Sequence, residues 1–264
     1  MCRQKDGYGM KIVIAAEFEY LKGWLSSIDR LMEAPDDKIL YNGRNKIVLC
    51  CSPQGDKLVI KRYKKHNIIK RIVYTLFKPN KAERAFRNAV ELRNRNFDTP
   101  HEVAYAEKSC FGFITQVYYV CAFTDGKSVR SELIEREPYN ADLAGAYAGF
   151  VASLHDAGVL HKDLNPTNVL YRKEQGSYRF ELIDINRMRF YEEAVPKKEC
   201  MENLTLFWWL TDVYRYVLGK YAMNRGWSQN DVDEAVRVKQ RHDRSWVRRK
   251  KFTGLIKKYI LGKR

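Results

Sequence analysis

At 264 residues with a formal charge of +16 and 45% hydrophobic residues, the chain has enough apolar material for a compact body of one large domain or two lobes. Its densest apolar segments, Phe111 to Phe123 and Leu204 to Leu210, fall short of the roughly 18 residues a spanning helix needs, and Ile12 to Ala16 is too short for a secretory signal core. Six cysteines (Cys2, Cys50, Cys51, Cys110, Cys121, Cys200) show no CxxC spacing. Several sit in apolar strand-like runs, which reads as reduced core thiols in a cytoplasmic protein and argues against a zinc site.

In chain order, Glu17 to Ala34 reads as a helical opening segment. "KIVLCCSPQGDKLVIKRYKK" follows as two β-branched strands joined by a turn at Pro53 to Asp56. A basic connector with Tyr63, Tyr74 and Phe77 leads to "KAERAFRNAVELRNRN", where Ala85, Val90 and Leu92 among good helix formers predict a helix, with Pro79 as its start signal. "FGFITQVYYVCAF" predicts one or two buried strands, and "TDGK" places a seam near Thr124 to Lys127.

Beyond the seam, "NADLAGAYAGFVASLHDAG" sets Leu143, Tyr147, Phe150, Val151 and Leu154 at helical spacing, with Gly158 as the stop. Val169 to Tyr171 and "YRFELIDI" flank "KEQGS" as a small hairpin, and the remainder reads as helical. In "NLTLFWWLTDVYRYVL" the run around Trp208 and Trp209 is too continuous for a surface and predicts helical core.

The charge is unevenly spread. Lys57 to Arg95 holds 13 basic and 2 acidic residues and Arg237 to Arg264 holds 12 and 1, leaving −6 for everything else. That balance implies an anionic partner such as nucleotide, nucleic acid or a membrane surface. The tail "WVRRKKFTGLIKKYILGKR" interleaves Trp246, Phe252, Leu255, Ile256, Tyr259 and Ile260 with cations. It fits an interfacial amphipathic helix, or a C-terminal helix packed on its own lobe with a solvated basic face.

The segment "HKDLNPTN" sets His161, Asp163 and Asn168 at offsets of two and seven, and Asp184 in "ELIDIN" arrives after a hairpin. Two loops at the ends of one hairpin can present Asp163, Asn168 and Asp184 to one point, as phosphoryl transfer requires. Mg²⁺ prefers hard oxygen ligands together with ATP phosphates and water, which Asn168 and Asp184 would supply. Asp163 would orient the acceptor hydroxyl and take its proton, while His161 holds the loop through a backbone hydrogen bond.

"HKDLNPTNVLY" resembles the catalytic loop of the protein-kinase-like superfamily, H-R-D-x-x-x-x-N, with Asp163 and Asn168 at the same offset. Asp184 falls at the aspartate of D-F-G, although this chain reads "DIN". "LVIK" resembles the segment V-A-I-K, which makes Lys61 the residue for the ATP α/β-phosphates. Its glutamate partner should come from the next helix: Glu83 is preferred over Glu91, eight residues away and about 80° around the axis. No G-x-G-x-x-G is present, and Gly43, Arg44 and Asn45 mark where a phosphate-covering turn would lie, with Arg44 as a direct phosphate contact. Asn165 stands where protein serine/threonine kinases carry Lys, and no A-P-E follows "DIN", so a small-molecule or glycolipid acceptor is favoured.

Within that superfamily the order "KAERAFRNAVEL", "FDTPHEVAYAE", "HKDLNPTNVLY" and "FELIDINRMRF" is similar to the lipopolysaccharide kinase (Kdo/WaaP) family, over roughly Lys38 to Arg225. The resemblance implies a two-lobed α+β fold, with residues 1–124 as an ATP-binding, strand-rich N-lobe and 125–264 as a helical C-lobe holding the catalytic loop, metal site and basic tail. It implies ATP and Mg²⁺ as cofactors and a heptose or Kdo hydroxyl of the lipopolysaccharide inner core, or lipid A-core, as acceptor. The setting would be the cytoplasmic, inner face of the bacterial inner membrane, with the basic tail on anionic lipid. The other readings are a kinase of another small molecule or a protein, a pseudokinase scaffold, and a basic nucleic-acid-binding protein.

Overall fold

The computed structural model describes residues 8–33, 35, 38–64 and 78–261. Tyr74, Phe77 and Cys2 lie outside the described residues, as do the side chains of Phe252, Leu255, Ile256, Tyr259 and Ile260. The chain forms two compact units, residues 1–125 with Leu182–Arg187, and Gly126–Glu181 with Met188–Arg264. Asp184 therefore belongs with the strand-rich part, whereas the division drawn at residue 124 from the sequence puts it with the helices.

The first unit is built on a six-stranded antiparallel sheet: β1 (Tyr8–Ile14), β2 (Ile39–Asn42), β3 (Lys46–Cys51), β4 (Lys57–Arg62), β5 (Glu102–Cys110) and β6 (Phe113–Ala122), in the order β1-β5-β6-β4-β3-β2. The β3–β4 hairpin closes through Ser52, whose hydroxyl donates to Asp56 at 2.6 Å, and Gly55 takes the φ of 95° that the turn requires. Strand alternation divides the sheet's side chains. Val48, Cys50, Leu58, Ile60, Ala104, Ala106, Tyr118 and Val120 form a core with Leu21, Leu25, Ile28 and Met32 from the opening segment. Lys61, paired in register with Ile47 and Tyr119, points to the other face.

The opening segment is a 3-10 helix (Ala16–Leu21) followed by two short helices, α1 (Lys22–Leu25) and α2 (Ile28–Leu31). It is not continuous because the hydroxyls of Ser26 and Ser27 bond back to the carbonyls of Gly23 and Trp24. Helix α3 (Lys81–Asn94) is capped by Asn80, whose side-chain oxygen accepts from the amides of Ala82 and Glu83. It buries Ala82, Ala85, Ala89 and Leu92, while Val90 faces solvent. Its Phe86 meets Tyr105 of β5 edge-on at 5.5 Å.

In the second unit, β7 (Lys127–Ser128) leads into α4 (Val129–Leu133) and α5 (Ala141–Asp156), followed by β8 (Val159–His161), β9 (Val169–Glu174), β10 (Ser177–Leu182) and β11 (Met188–Phe190). Then come α6 (Lys197–Leu204), α7 (Asp212–Asn224) and α8 (Gln229–Leu261). Asn140 caps α5 by accepting from Leu143 N–H, and Gly158 ends the turn after it with φ 71°. The β9–β10 hairpin turns at Gln175 and Gly176, both left-handed.

The expected core placement of Trp208 and Trp209 does not hold. Helix α6 ends at Leu204, and three consecutive bulky side chains in irregular backbone cannot all point inward. Phe207 is buried, Trp208 stacks under the Arg130 guanidinium at 4.8 Å, and Trp209 is 39% exposed, edge-on to Trp246 at 4.9 Å. Of the described cysteines, Cys50 and Cys200 are buried, Cys51 is exposed, and all are free thiols.

Asn80 does two jobs, capping α3 and donating to buried Glu107 at 2.5 Å. Asn80→Ala should lose about 1 kcal/mol for the cap and about 1 more for the donor taken from Glu107 Oε1, whose partner oxygen Oε2 keeps Lys11 at 3.5 Å. Urea denaturation measures the difference, and a change within error would refute the assignment.

Candidate active site

In the first unit the chemistry gathers around Lys61. A lysine amine this buried, its side chain 13% exposed, requires an anion, and Asp184 provides it with Oδ1 at 2.5 Å from Nζ. The same oxygen accepts from Nδ2 of Asn186 at 2.7 Å. Lys61 also lies over the ring of Tyr63, 5.1 Å from its centroid. Burial, then the charge of Asp184, pushes the Tyr63 phenol well above its ordinary range, so it stays neutral beside the amine. Cys121 lies on the same sheet face, its register partner Val59 standing two residues before Lys61. Its thiol is pushed up to about 12 by burial and is no nucleophile.

Glu83 does not meet Lys61. Its carboxylate is 2.5 Å from Arg87, one helical turn on, and Glu91 is likewise paired with Arg95 at 2.7 Å. The nearer carboxylate of Asp184 has taken the place expected for a helix glutamate. Arg44 stands exposed in the three-residue turn joining β2 to β3, where Gly43 N–H bonds to the Asn45 carbonyl.

In the second unit the loop after β8 is built from short polar side chains. His161 is buried, and its Nδ1 accepts the Asp163 amide at 3.1 Å. Asn165 caps the following 3-10 turn (Pro166–Asn168), its oxygen accepting Thr167 N–H while its Nδ2 lies 3.3 Å from the Asp163 carboxylate. Nδ2 of Asn168 donates to the Asp163 carbonyl at 2.8 Å, which orients the carboxamide oxygen as the hard donor a cation would use. The loop thus fixes Asp163 and Asn168 with respect to each other.

Behind this loop lies a buried chain that the sequence did not disclose. Nδ2 of Asn203, on α6, donates to the His161 carbonyl at 2.9 Å. The Asn203 oxygen accepts from His155 Nε2 at 3.1 Å, and His155 Nδ1 accepts from the Tyr221 hydroxyl at 2.8 Å. In the sequence His155 and Asn203 are ordinary helix residues, and only their shared burial marks them.

The antiparallel sheet with its paired lysine in one unit and the loop carrying Asp163 and Asn168 in the other are the parts of a protein-kinase-like fold, and the family to which the chain belongs makes it a phosphotransferase. The chain belongs to the lipopolysaccharide kinase (Kdo/WaaP) family, whose family model matches residues 42–238. Among solved structures it is similar to WaaP in complex with acyl carrier protein, at 16% identity over 89% of this chain and 98% of that one, with a TM-score of 0.59. It also matches a Rio2 kinase–ADP/Mg²⁺–phosphoaspartate complex from Chaetomium thermophilum, at 16% identity over 87% and 78% of the chains, with a TM-score of 0.47. No curated protein is significantly similar to it in sequence.

Burial lowers His155 to about 4, so it is neutral in the fold, whereas an unfolded histidine titrates near about 6.5. Its contribution is complete above about pH 6.5 and falls as pH drops toward about 4, because only the unfolded chain takes up the proton in that window; the loss is about 3 kcal/mol. Urea midpoints across this range should fall more steeply in wild type than in His155→Gln. Parallel curves for the two proteins would contradict this.

Proposed function

We propose that this protein transfers the γ-phosphoryl group of ATP to a sugar hydroxyl, on heptose or Kdo, in the inner core of lipopolysaccharide. The observation that carries the reading is the buried Lys61–Asp184 pair in a member of the Kdo/WaaP family. In this reading Lys61 turns from Asp184 to the α/β-phosphates of ATP, which gives a buried amine a second anion in exchange for the first. Asp184 and Asn168 are the residues that would hold Mg²⁺, each offering a hard oxygen donor of the kind it prefers. When bound, the cation neutralises charge building on the transferred phosphoryl oxygens.

Asp163 accepts the proton of the attacking hydroxyl, held at its station by His161 Nδ1 and Asn165. Arg44 sits in the turn that would cover the phosphates. Glu83, engaged with Arg87, has no direct part in this scheme.

We further propose that the protein works at the inner face of the inner membrane, as a peripheral protein. Among the described residues no helix is long and apolar enough to cross a membrane. The basic C-terminal stretch supports contact with anionic lipid, at about 1 kcal/mol for each cation near the surface.

Asp163→Ala should lower turnover by about 10² to 10⁴. Core lipopolysaccharide incubated with ATP, Mg²⁺ and either protein, then weighed by mass spectrometry, reads this directly. One phosphate gained on a core sugar with wild type alone is the expected result. No gain in a preparation that binds ATP would move the acceptor to another class, and near-normal turnover by the variant would remove Asp163 from its role.

A further inference from the structure

Asp184 has a backbone φ of 54°, in the left-handed region that non-glycine residues seldom enter and hold only where neighbours over-determine it. Three contacts do so here. Lys61 Nζ and Asn186 Nδ2 converge on one carboxylate oxygen, Oδ1, at 2.5 and 2.7 Å. From helix α3, Nδ2 of Asn88 donates to the carbonyl of Ile185 at 2.6 Å, anchoring the peptide that follows. Asn186 is 7% exposed and occupies the position where the D-F-G pattern has a glycine. Its side chain is thus a buried donor aimed at the carboxylate, in a place where the kinase pattern supplies none.

We propose that Asn186 is a positioning residue for the divalent cation: it fixes the rotation of the Asp184 carboxylate, while Asn88 fixes the backbone that carries it. The inference rests on the reading of Asp184 as a cation ligand. Its logic lies in the order of events. A nucleotide phosphate that attracts Lys61 takes a donor away from Oδ1. Asn186 is neutral and has no such competing attraction, so it stays and keeps the carboxylate aimed. An uncharged amide does this without opposing the cation, which a second ammonium at the same place would repel. Partners that orient a metal ligand typically change metal affinity or activity by about 10- to 100-fold when removed.

The test is Mn²⁺ binding in the presence of ADP, followed by electron paramagnetic resonance, for wild type, Asn186→Ala, Asn88→Ala and Asp184→Ala. Thermal melting and the Mg²⁺ concentration for half-maximal phosphotransfer are recorded alongside. Asn186→Ala should bind Mn²⁺ about 10- to 100-fold more weakly and shift half-saturating Mg²⁺ by the same factor. Its melting curve should stay near wild type, Asn88→Ala should show a smaller shift, and Asp184→Ala should lose cation binding. Wild-type Mn²⁺ affinity in Asn186→Ala, with binding lost in Asp184→Ala, overturns the positioning role and leaves the cation reading standing. Full binding by Asp184→Ala brings down that reading and this inference together. Should Asn186→Ala fail to fold, Asn186→Gly takes its place, and wild-type affinity there overturns the proposal equally.

Discussion

A lysine amine placed on the face of a β-sheet opposite the opening helices is the constraint from which the candidate site follows. Strand parity aims Lys61 away from the core formed by the opening helices, and burial makes an unpaired ammonium costly. The carboxylate that answers it lies 123 residues later in the chain. Leu182–Arg187 is consequently part of the first unit although the sequence around it belongs to the second. One contact thus answers the burial of Lys61 and ties Leu182–Arg187 to the first unit.

The supporting parts are largely asparagines. Asn80 caps a helix and satisfies Glu107, Asn165 reaches the Asp163 carboxylate, Asn168 fastens the loop to itself, and Asn203 joins His155 to the His161 carbonyl. A carboxamide donates and accepts from a rigid plane without adding charge. Beside charged groups, neutral struts of this kind hold geometry at little electrostatic cost.

The sequence discloses those parts of the fold that local pattern determines. The β3–β4 hairpin, α3, α5 and the β9–β10 hairpin each carry their periodicity and turn residues within a short window. Strands β1, β2 and β5 do not. β1 is a strand by virtue of pairing with β5 about a hundred residues away, β2 is mostly exposed, and β5 buries Glu102 and Glu107, which look like surface residues until Arg93 and Asn80 are seen to satisfy them. At the site, Lys61 and Asp184 could be picked out from their motifs. Neither Glu83 nor Glu91, the two candidates from helix α3, meets Lys61, since each pairs with an arginine one turn on. Asn203 reads in a sequence as an ordinary helix residue, while Asn186 shows only as the departure of "DIN" from D-F-G.

The excursion of Leu182–Arg187 has a consequence for how the molecule can be taken apart. The chain passes from one unit to the other three times, at 125/126, 181/182 and 187/188. Neither unit corresponds to one continuous stretch of gene, so no single cut yields two complete halves. A fragment ending at the first crossing would keep Lys61 and lose its counter-ion, and a fragment beginning there would carry Asp184 with no amine to meet. A crossover at 125/126 or 181/182 would part the lysine from its counter-ion, so the two units do not exchange as simple consecutive modules.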